Sequence, residues 1–149
     1  MKDLATNEGV SSISQRIHAL KPDSQRLWGQ MDAAQMLAHI RFPLEVPMGK
    51  HELEKSWFLK LIGPMIKKQL VKDQPIKKNS PTGKTIKVTD QRDFEQEKTA
   101  LLSTLTEYSE FVKAGKLPPA HPYWGKLTSQ EWNIMQYRHL DHHLGQFGV

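Results

Sequence analysis

The chain has 149 residues, no cysteine, seven histidines and a formal net charge of +5 at neutral pH. Its length and its 38% of apolar residues predict a single folded domain over residues 1–149 and exclude general disorder. Without cysteine, the chain has no disulfide, no thiolate nucleophile, no iron–sulfur cluster and no thiolate zinc site. Any metal ion must therefore be bound by histidine, aspartate, glutamate or water.

Neither the N-terminal segment nor the longest apolar runs indicate a membrane protein. The first eight residues carry acidic side chains and no apolar core, so no signal peptide is expected. The longest apolar runs are interrupted by Lys60 and by Gly63-Pro64, far short of the ~20 residues that a membrane-spanning helix needs. We therefore expect a cytoplasmic protein with no membrane span.

Apolar spacing and a capping pattern define the first two helices. Apolar residues that recur at intervals of three and four predict an amphipathic helix that begins near Ser11 or Ser12. Asp32 and Gln35 form a capping-box pattern at the start of the second helix. We expect that helix to end near Arg41, because Pro43 disfavours helical conformation at the residue before it.

The last two helices complete the expected fold. Apolar residues at helical spacing run from about Asp90 to Gly115 and predict the longest helix of the chain. Thr128 and Glu131 form a second capping-box pattern, and the helix that they open continues to about Gln146. The four helices predict an all-α fold, an antiparallel four-helix bundle with a long, partly helical crossover between helices 2 and 3.

The crossover, residues 50–88, is basic and only partly regular. It holds ten lysines and three acidic residues, a net charge of +7 against +5 for the whole chain. Helical spacing between Glu52 and Val71 is interrupted at Gly63-Pro64, where we expect a break or a bend. Alternation over Lys84–Thr89 predicts a short strand or an extended arm, which is too little for a sheet.

The basic crossover permits two interpretations. Its mixture of lysine with tryptophan, phenylalanine and aliphatic residues suits an anionic membrane surface or a nucleic acid. However, no nucleic-acid motif accompanies the charge, and we expect no nucleic-acid partner. We interpret the lysines as a solvated face over apolar residues that pack on the bundle or on a second copy of the chain in a homodimer.

Two histidines of the fourth helix lie on one face. His139 and His143 are 40° apart at 100° per residue, so their imidazoles can converge on a single ion. The same face carries a mixture of apolar and amide side chains that suits a polar pocket: Trp132, Met135, Gln136 and Gln146. His142 lies at the edge of this face. A histidine pair at this spacing also occurs as surface decoration, and the pattern alone leaves both interpretations open.

The other histidines are less informative. His39 ends an apolar face of the second capped helix and is a third candidate ligand. The alternative is a core histidine that is hydrogen-bonded to a carbonyl group. We interpret His18 and His51 as surface residues and His121 as a loop residue.

Three sequence motifs, taken in their order along the chain, resemble those of a known protein family. They are Trp28-Gly29-x-Met31-x-x-x-Gln35-Met36-Leu37-x-His39, then His121-Pro122-x-x-Gly125-x-Leu127-Thr128-x-x-Glu131-Trp132, then His139-x-x-His142-His143-Leu144-x-Gln146-Phe147-Gly148. The crossover adds Leu61-Ile62-Gly63-Pro64 and Lys77-Lys78-Asn79. Over residues 11–149 the chain resembles the DinB/YfiT-like superfamily, and within it a bacterial branch that has no assigned reaction.

This resemblance implies a metal centre. It implies a four-helix bundle in which His39, His139 and His143 hold a divalent transition metal, with Zn, Ni or Fe as candidates because imidazole suits all of them. Members with known activity are similar to metal-dependent thiol transferases, or to thiol-dependent isomerases or hydrolases. The resemblance therefore implies a metal-dependent enzyme for a small-molecule substrate, with thiols among the candidates. Gln146, His142 and Gln136 are candidates to support the ligands or orient the substrate.

The residues do not supply a convincing general base. Glu45 and Glu131 qualify only if loops bring them to the site, and Glu131 is better explained by its capping role. The lack of a base keeps open a second reading, a non-catalytic module on the same scaffold that binds a metal ion or a small ligand.

Overall fold

The computed structural model describes residues 3–72, 74–78 and 87–149 of the chain. These residues form five α-helices and one short sheet: α1 (Asn7–Ala19), α2 (Ala33–Glu45), α3 (Trp57–Leu70), α4 (Phe94–Lys113), β1 (Ala120–His121), β2 (Gly125–Lys126) and α5 (Ser129–Gly145). The predominantly helical fold expected from the sequence is confirmed. The antiparallel pair of β1 and β2 corrects the expectation that no sheet forms. Of the extended segment expected at Lys84–Thr89, residues 84–86 lie outside the described residues, and residues 87–89 form no strand.

The main core lies between four of the helices. α1 and α2 each contact both α4 and α5. Their facing apolar side chains form one large buried cluster, which includes Ile13, Ile17, Met36, Leu37, Leu101 and Leu140. Burial of each such side chain stabilises the fold by about 1.5–3 kcal/mol. This core fixes α2 and α5, which carry the candidate metal ligands, relative to each other.

The expected start of α1 near Ser11 or Ser12 is too late. The helix begins at Asn7, because the hydroxyl oxygen of Thr6 accepts a 3.1 Å hydrogen bond from the backbone N–H of Gly9. This cap satisfies one of the donors that a first turn leaves unpaired. The apolar spacing begins only at Val10, so it does not show the first turn. The longest helix, α4, begins at Phe94, slightly later than expected.

α2 does not end at Arg41 as expected but continues through Pro43 to Glu45. A proline inside a helix costs about 3 kcal/mol, since it removes one backbone hydrogen bond and crowds the preceding turn. The extra turn buries Leu44 completely and places Glu45 at 2.9 Å from the guanidinium of Arg41. Tertiary packing therefore outweighs the local preference that the sequence pattern reports.

The break expected at Gly63-Pro64 does not occur, and α3 runs through both residues. Gly63 allows the helix to approach the strand pair, because a Cβ atom there would lie 1.8 Å from the carbonyl oxygen of Tyr123. The ammonium group of Lys67 lies 2.8 Å from a carboxylate oxygen of Glu131 and 2.7 Å from the carbonyl oxygen of Lys126. These contacts hold α3 against β2 and the start of α5.

Both capping boxes form as the sequence predicts. The Asp32 side chain accepts from the N–H of Gln35, and the Gln35 side chain accepts from the N–H of Asp32. Thr128 and Glu131 make the same reciprocal pair at the start of α5. Among the described residues, no helix is both long enough and apolar enough to cross a membrane.

Candidate metal centre

α2 and α5 bring three imidazoles together. Nε2 of His39 lies 3.1 Å from Nε2 of His143 and 3.2 Å from Nε2 of His139. His139 and His143 are one turn apart on α5, with their ring centroids 4.6 Å apart. Within the described ranges, these three residues are the group of histidine or acidic side chains whose ligand atoms all lie within 4.8 Å of one another. The histidine triad is the structural feature around which the rest of the site is built.

The separations in the triad fit a bound cation better than a hydrogen-bond network. Two ligands of a tetrahedral zinc ion, each about 2.0–2.1 Å from the metal, stand about 3.3–3.4 Å apart. By contrast, a neutral imidazole nitrogen carries either one proton or one lone pair, so Nε2 of His39 cannot make full hydrogen bonds to both neighbours. One cation satisfies three converging lone pairs at once. The triad is therefore positioned to hold a metal ion.

The surroundings of the triad favour neutral imidazoles. Burial lowers the pKa of His139 well below its usual value, and the neighbouring rings of His143 and His39 lower it further. Burial and the ring of His39 likewise lower the pKa of His143 to about 3. Neutral imidazole is the form that binds metal ions. The triad thus presents lone pairs at neutral pH.

Gln146 orients one of the three rings. Its amide oxygen lies 2.8 Å from Nδ1 of His143, and both side chains are buried. Because an amide oxygen only accepts, Nδ1 carries the ring proton and Nε2 keeps its lone pair for the triad. Gln146 is itself held by the loop before α2, since its backbone carbonyl accepts a 2.6 Å hydrogen bond from the N–H of Leu27.

The same loop packs beside the triad. The ring of Trp28 contacts His142 edge-on at 6.2 Å between centroids, and His142 lies 5.1 Å from the ring of His143. The ammonium group of Lys78 lies 4.3 Å from the centre of the Trp28 ring. Gly29 has a positive φ of 92° and approaches the end of the Gln146 side chain closely. Trp28 and Gly29 both stand in the first motif, but nothing in the sequence pattern marks them as neighbours of the site.

Gln136 links the two helices that carry the triad. Its amide nitrogen donates a 2.7 Å hydrogen bond to the carbonyl oxygen of Pro43, one turn beyond His39 on α2. Gln136 also lies one turn before His139 on α5. The Gln136 side chain therefore fixes the spacing of α2 and α5 near the ligands.

The two candidate bases are both engaged elsewhere. Glu45 is buried on α2, where its carboxylate lies 2.9 Å from Arg41 and 2.6 Å from Nε2 of His51. Burial raises the pKa of Glu45, but these hydrogen bonds and charges outweigh burial and lower it overall. Glu131 caps α5 and pairs with Lys67. Neither carboxylate belongs to the group of ligand atoms around the triad.

The remaining histidines lie outside the triad. His18 is exposed on α1, and His51 is exposed and stacked on Phe42. The interpretation of His121 as a loop residue is wrong, because His121 is buried in β1. Its Nδ1 accepts a 3.0 Å hydrogen bond from the N–H of Tyr123, and its ring stacks on Trp124. His121 therefore belongs to the packing of the strand pair.

The fold and the site together define a helical protein with a group of three histidines, of which two are buried and one is partly buried. A family model described as "Protein of unknown function (DUF1569)" matches residues 2–148. Because this match covers nearly the whole chain, the protein belongs to that family. No curated protein and no solved structure matches the chain significantly.

Proposed function

We propose that the protein is a metal-dependent enzyme in which His39, His139 and His143 bind a divalent transition metal, Zn, Ni or Fe. The observation that supports this most directly is the pair of Nε2 separations, 3.1 and 3.2 Å, at which the three rings converge. Three protein ligands leave a coordination position for water or substrate, which is typical of catalytic sites.

The helix contacts support the fold that belongs to this proposal. α1 and α2 each pack against both α4 and α5, which is the pairing expected of a four-helix bundle. The motifs that resemble the DinB/YfiT-like superfamily place the three histidines on the second and last helices of that bundle. α3 then lies in the crossover, outside the four helices that surround the main core.

The proposed substrate is a small molecule with a thiol group. A divalent ion bound to the triad would lower the pKa of a coordinated thiol, so that the proton passes to solvent, or would polarise a carbonyl group. Such chemistry does not require a carboxylate base, and Glu45 and Glu131 are both occupied with other partners. His142, half-buried between Trp28 and His143, is placed to orient the substrate. Thiol transfer, or thiol-dependent isomerisation or hydrolysis, fits these groups.

A competing function is that of a binding module without catalysis. It is favoured by the ion pairs that already occupy the carboxylates of Glu45 and Glu131. A module that binds a metal ion or a small ligand without turnover needs the triad but no base. It predicts stoichiometric metal without metal-dependent conversion of thiol substrates.

Metal analysis of protein purified without a histidine tag tests the proposal. We expect one equivalent of a transition metal in the wild type, and loss of that metal in His39→Ala, His139→Ala and His143→Ala. His18→Ala is the matched control, because it removes an exposed imidazole from α1 and leaves the triad intact. Stoichiometric metal retained in the three triad variants would contradict the proposal. Thiol turnover that requires the metal separates the enzyme from the module.

A further inference from the structure

Four large apolar side chains of α3 are exposed. Trp57, Phe58, Leu61 and Met65 keep 78%, 53%, 71% and 63% of their surface accessible. At 100° per residue, the four fall within one sector of about 100° around the helix axis. Of the two partners expected for the apolar residues of the crossover, the bundle is excluded for these four, and a second copy of the chain stays a prediction. We call them the outer face of α3.

The opposite side of α3 explains why the outer face points away from the core. Gly63 is buried against the backbone of Tyr123, and Lys67 pairs with Glu131. At the end of the helix, the guanidinium of Arg138 donates a 2.9 Å hydrogen bond to the carbonyl oxygen of Gln69. Backbone and polar contacts thus fix α3 by its inner side and leave the apolar outer face without a partner among the described residues.

Exposed lysines border the outer face. Lys60 lies on α3 about 60° outside the apolar sector, Lys68 lies within the sector near the end of the helix, and Lys55 and Lys72 lie just before and just after the helix. All four side chains are exposed, and none of them takes part in an ion pair among the residues that the structure describes. The sequence of α3 contains no acidic residue. The outer face therefore combines apolar bulk with uncompensated positive charge.

The combination of apolar side chains and positive charge indicates what binds to the outer face of α3. In a symmetric dimer across the outer face, the same patch would meet itself and bring Lys60 and Lys68 close to the lysines of the second copy. An anionic lipid surface can instead bind both kinds of side chain. Its headgroups neutralise the lysines, and the boundary of its acyl chains accommodates tryptophan, leucine and methionine. We propose that α3 binds an anionic membrane surface, with its axis in the plane of the headgroups and its outer face inserted.

Vesicle flotation at low and high salt tests this interaction. We expect the wild type to float with vesicles of phosphatidylcholine and phosphatidylglycerol and to remain free with phosphatidylcholine alone. Added salt should release it, because the lysine contribution is screened. The fluorescence of Trp57 should shift to the blue on binding, and Trp57→Phe should lose this shift while it still floats.

Matched variants separate the outer face from the general charge of the chain. Leu61→Ser should weaken binding by about tenfold or more, given the apolar area that it removes. Leu27→Ser, which changes another exposed leucine outside α3, should bind like the wild type. Lys60→Glu with Lys68→Glu should also weaken binding by about tenfold or more. Lys113→Glu with Lys116→Glu makes the same change of net charge at and just after the end of α4 and should leave binding nearly unchanged.

Each alternative occupant gives a different result. Failure to float with anionic vesicles would overturn the proposal. A dimer that sediments without lipid and dissociates in Leu61→Ser would assign the outer face to a second copy. Equal binding to neutral vesicles, or equal weakening by the Lys113 and Lys116 changes, would show that charge on α3 does not direct the interaction and would also overturn the proposal. The changes on α3 and at the end of α4 lie outside the metal centre, so their outcomes are independent of the metal. The metal content of Leu27→Ser checks that this control keeps the site, because the N–H of Leu27 donates to the carbonyl oxygen of Gln146.

Discussion

The amide oxygen of Gln146 lies 2.8 Å from Nδ1 of His143, and this contact determines which nitrogen of His143 faces the other two histidines. With Nδ1 as the donor, Nε2 of His143 keeps the lone pair that it directs toward Nε2 of His39, 3.1 Å away. Such hydrogen bonds to the far nitrogen of a ligand histidine also raise its basicity. Gln146 is therefore a positioning residue for the proposed metal centre.

Gln146→Leu should weaken metal binding by roughly 10–100-fold, because His143 loses the partner that fixes its tautomer and ring orientation. Gln146→Glu keeps an acceptor at the same place and should stay close to the wild type. Competition with a chromophoric chelator measures both affinities. An unchanged affinity in the leucine variant would show that the contact does not act on the metal site.

Gly29→Ala should weaken metal binding through Gln146. Gly29 has a φ of 92°, and a Cβ atom there would lie 2.8 Å from Nε2 of Gln146. The backbone strain alone should cost about 1–2 kcal/mol of stability. Gly49→Ala is the matched control, since Gly49 has a φ of 73° and open space around its Cβ position. We expect urea unfolding to show a similar loss of stability in both variants, and chelator competition to show weakened metal binding only in Gly29→Ala.

Gly63→Ala should loosen α3 from the strand pair. The added Cβ atom would lie 1.8 Å from a backbone carbonyl oxygen, that of Tyr123, which cannot move aside as a flexible side chain does. Gly145→Ala changes a glycine of α5 whose nearest neighbour would be 3.9 Å away, and it should be neutral or stabilise by about 0.5 kcal/mol. Hydrogen exchange of the α3 amides should rise in Gly63→Ala alone. Unchanged protection of α3 would contradict the close approach.

The sequence predicts well those parts of the fold that depend on contacts between residues a few positions apart. The capping boxes at Asp32 and Thr128 depend on a side chain and an amide three positions apart, and both form. The face shared by His139 and His143 follows from one turn of helix. The approach of His39 to His139 joins residues 100 positions apart, which no local spacing can show. The apolar face of the second helix made His39 a third candidate, and the family resemblance implied that it is a ligand together with the other two.

Three of the corrected predictions concern residues that pack against distant parts of the chain. Pro43 lies inside α2 because burial of Leu44 stabilises the extra turn of the helix. Gly63-Pro64 continues α3 because the strand pair lies against that helix. His121 is buried by an aromatic ring that follows it and by Trp132 of α5. Local propensities give a weak preference, and tertiary contacts of a few kcal/mol override it.

His121 should make the protein less stable in mild acid. Burial lowers the pKa of His121 to about 4, whereas an unfolded histidine has a pKa of about 6.5. Between these values the unfolded chain binds a proton that the folded chain does not. The stabilisation is therefore complete above about pH 6.5 and falls by up to about 3 kcal/mol as the pH drops toward 4.

His121→Asn isolates this contribution. The asparagine oxygen can accept the hydrogen bond that Nδ1 of His121 takes from the N–H of Tyr123, 3.0 Å away, but asparagine does not titrate. The lowered pKa values of His139 and His143 are shared by both proteins, so their contribution cancels in the difference. We expect the free energy of unfolding in urea to fall more steeply with decreasing pH in the wild type than in His121→Asn, between about pH 7 and about pH 4.5. The difference in slope should correspond to nearly one more proton taken up on unfolding by the wild type. Equal slopes would mean that His121 takes up its proton without leaving the strand pair.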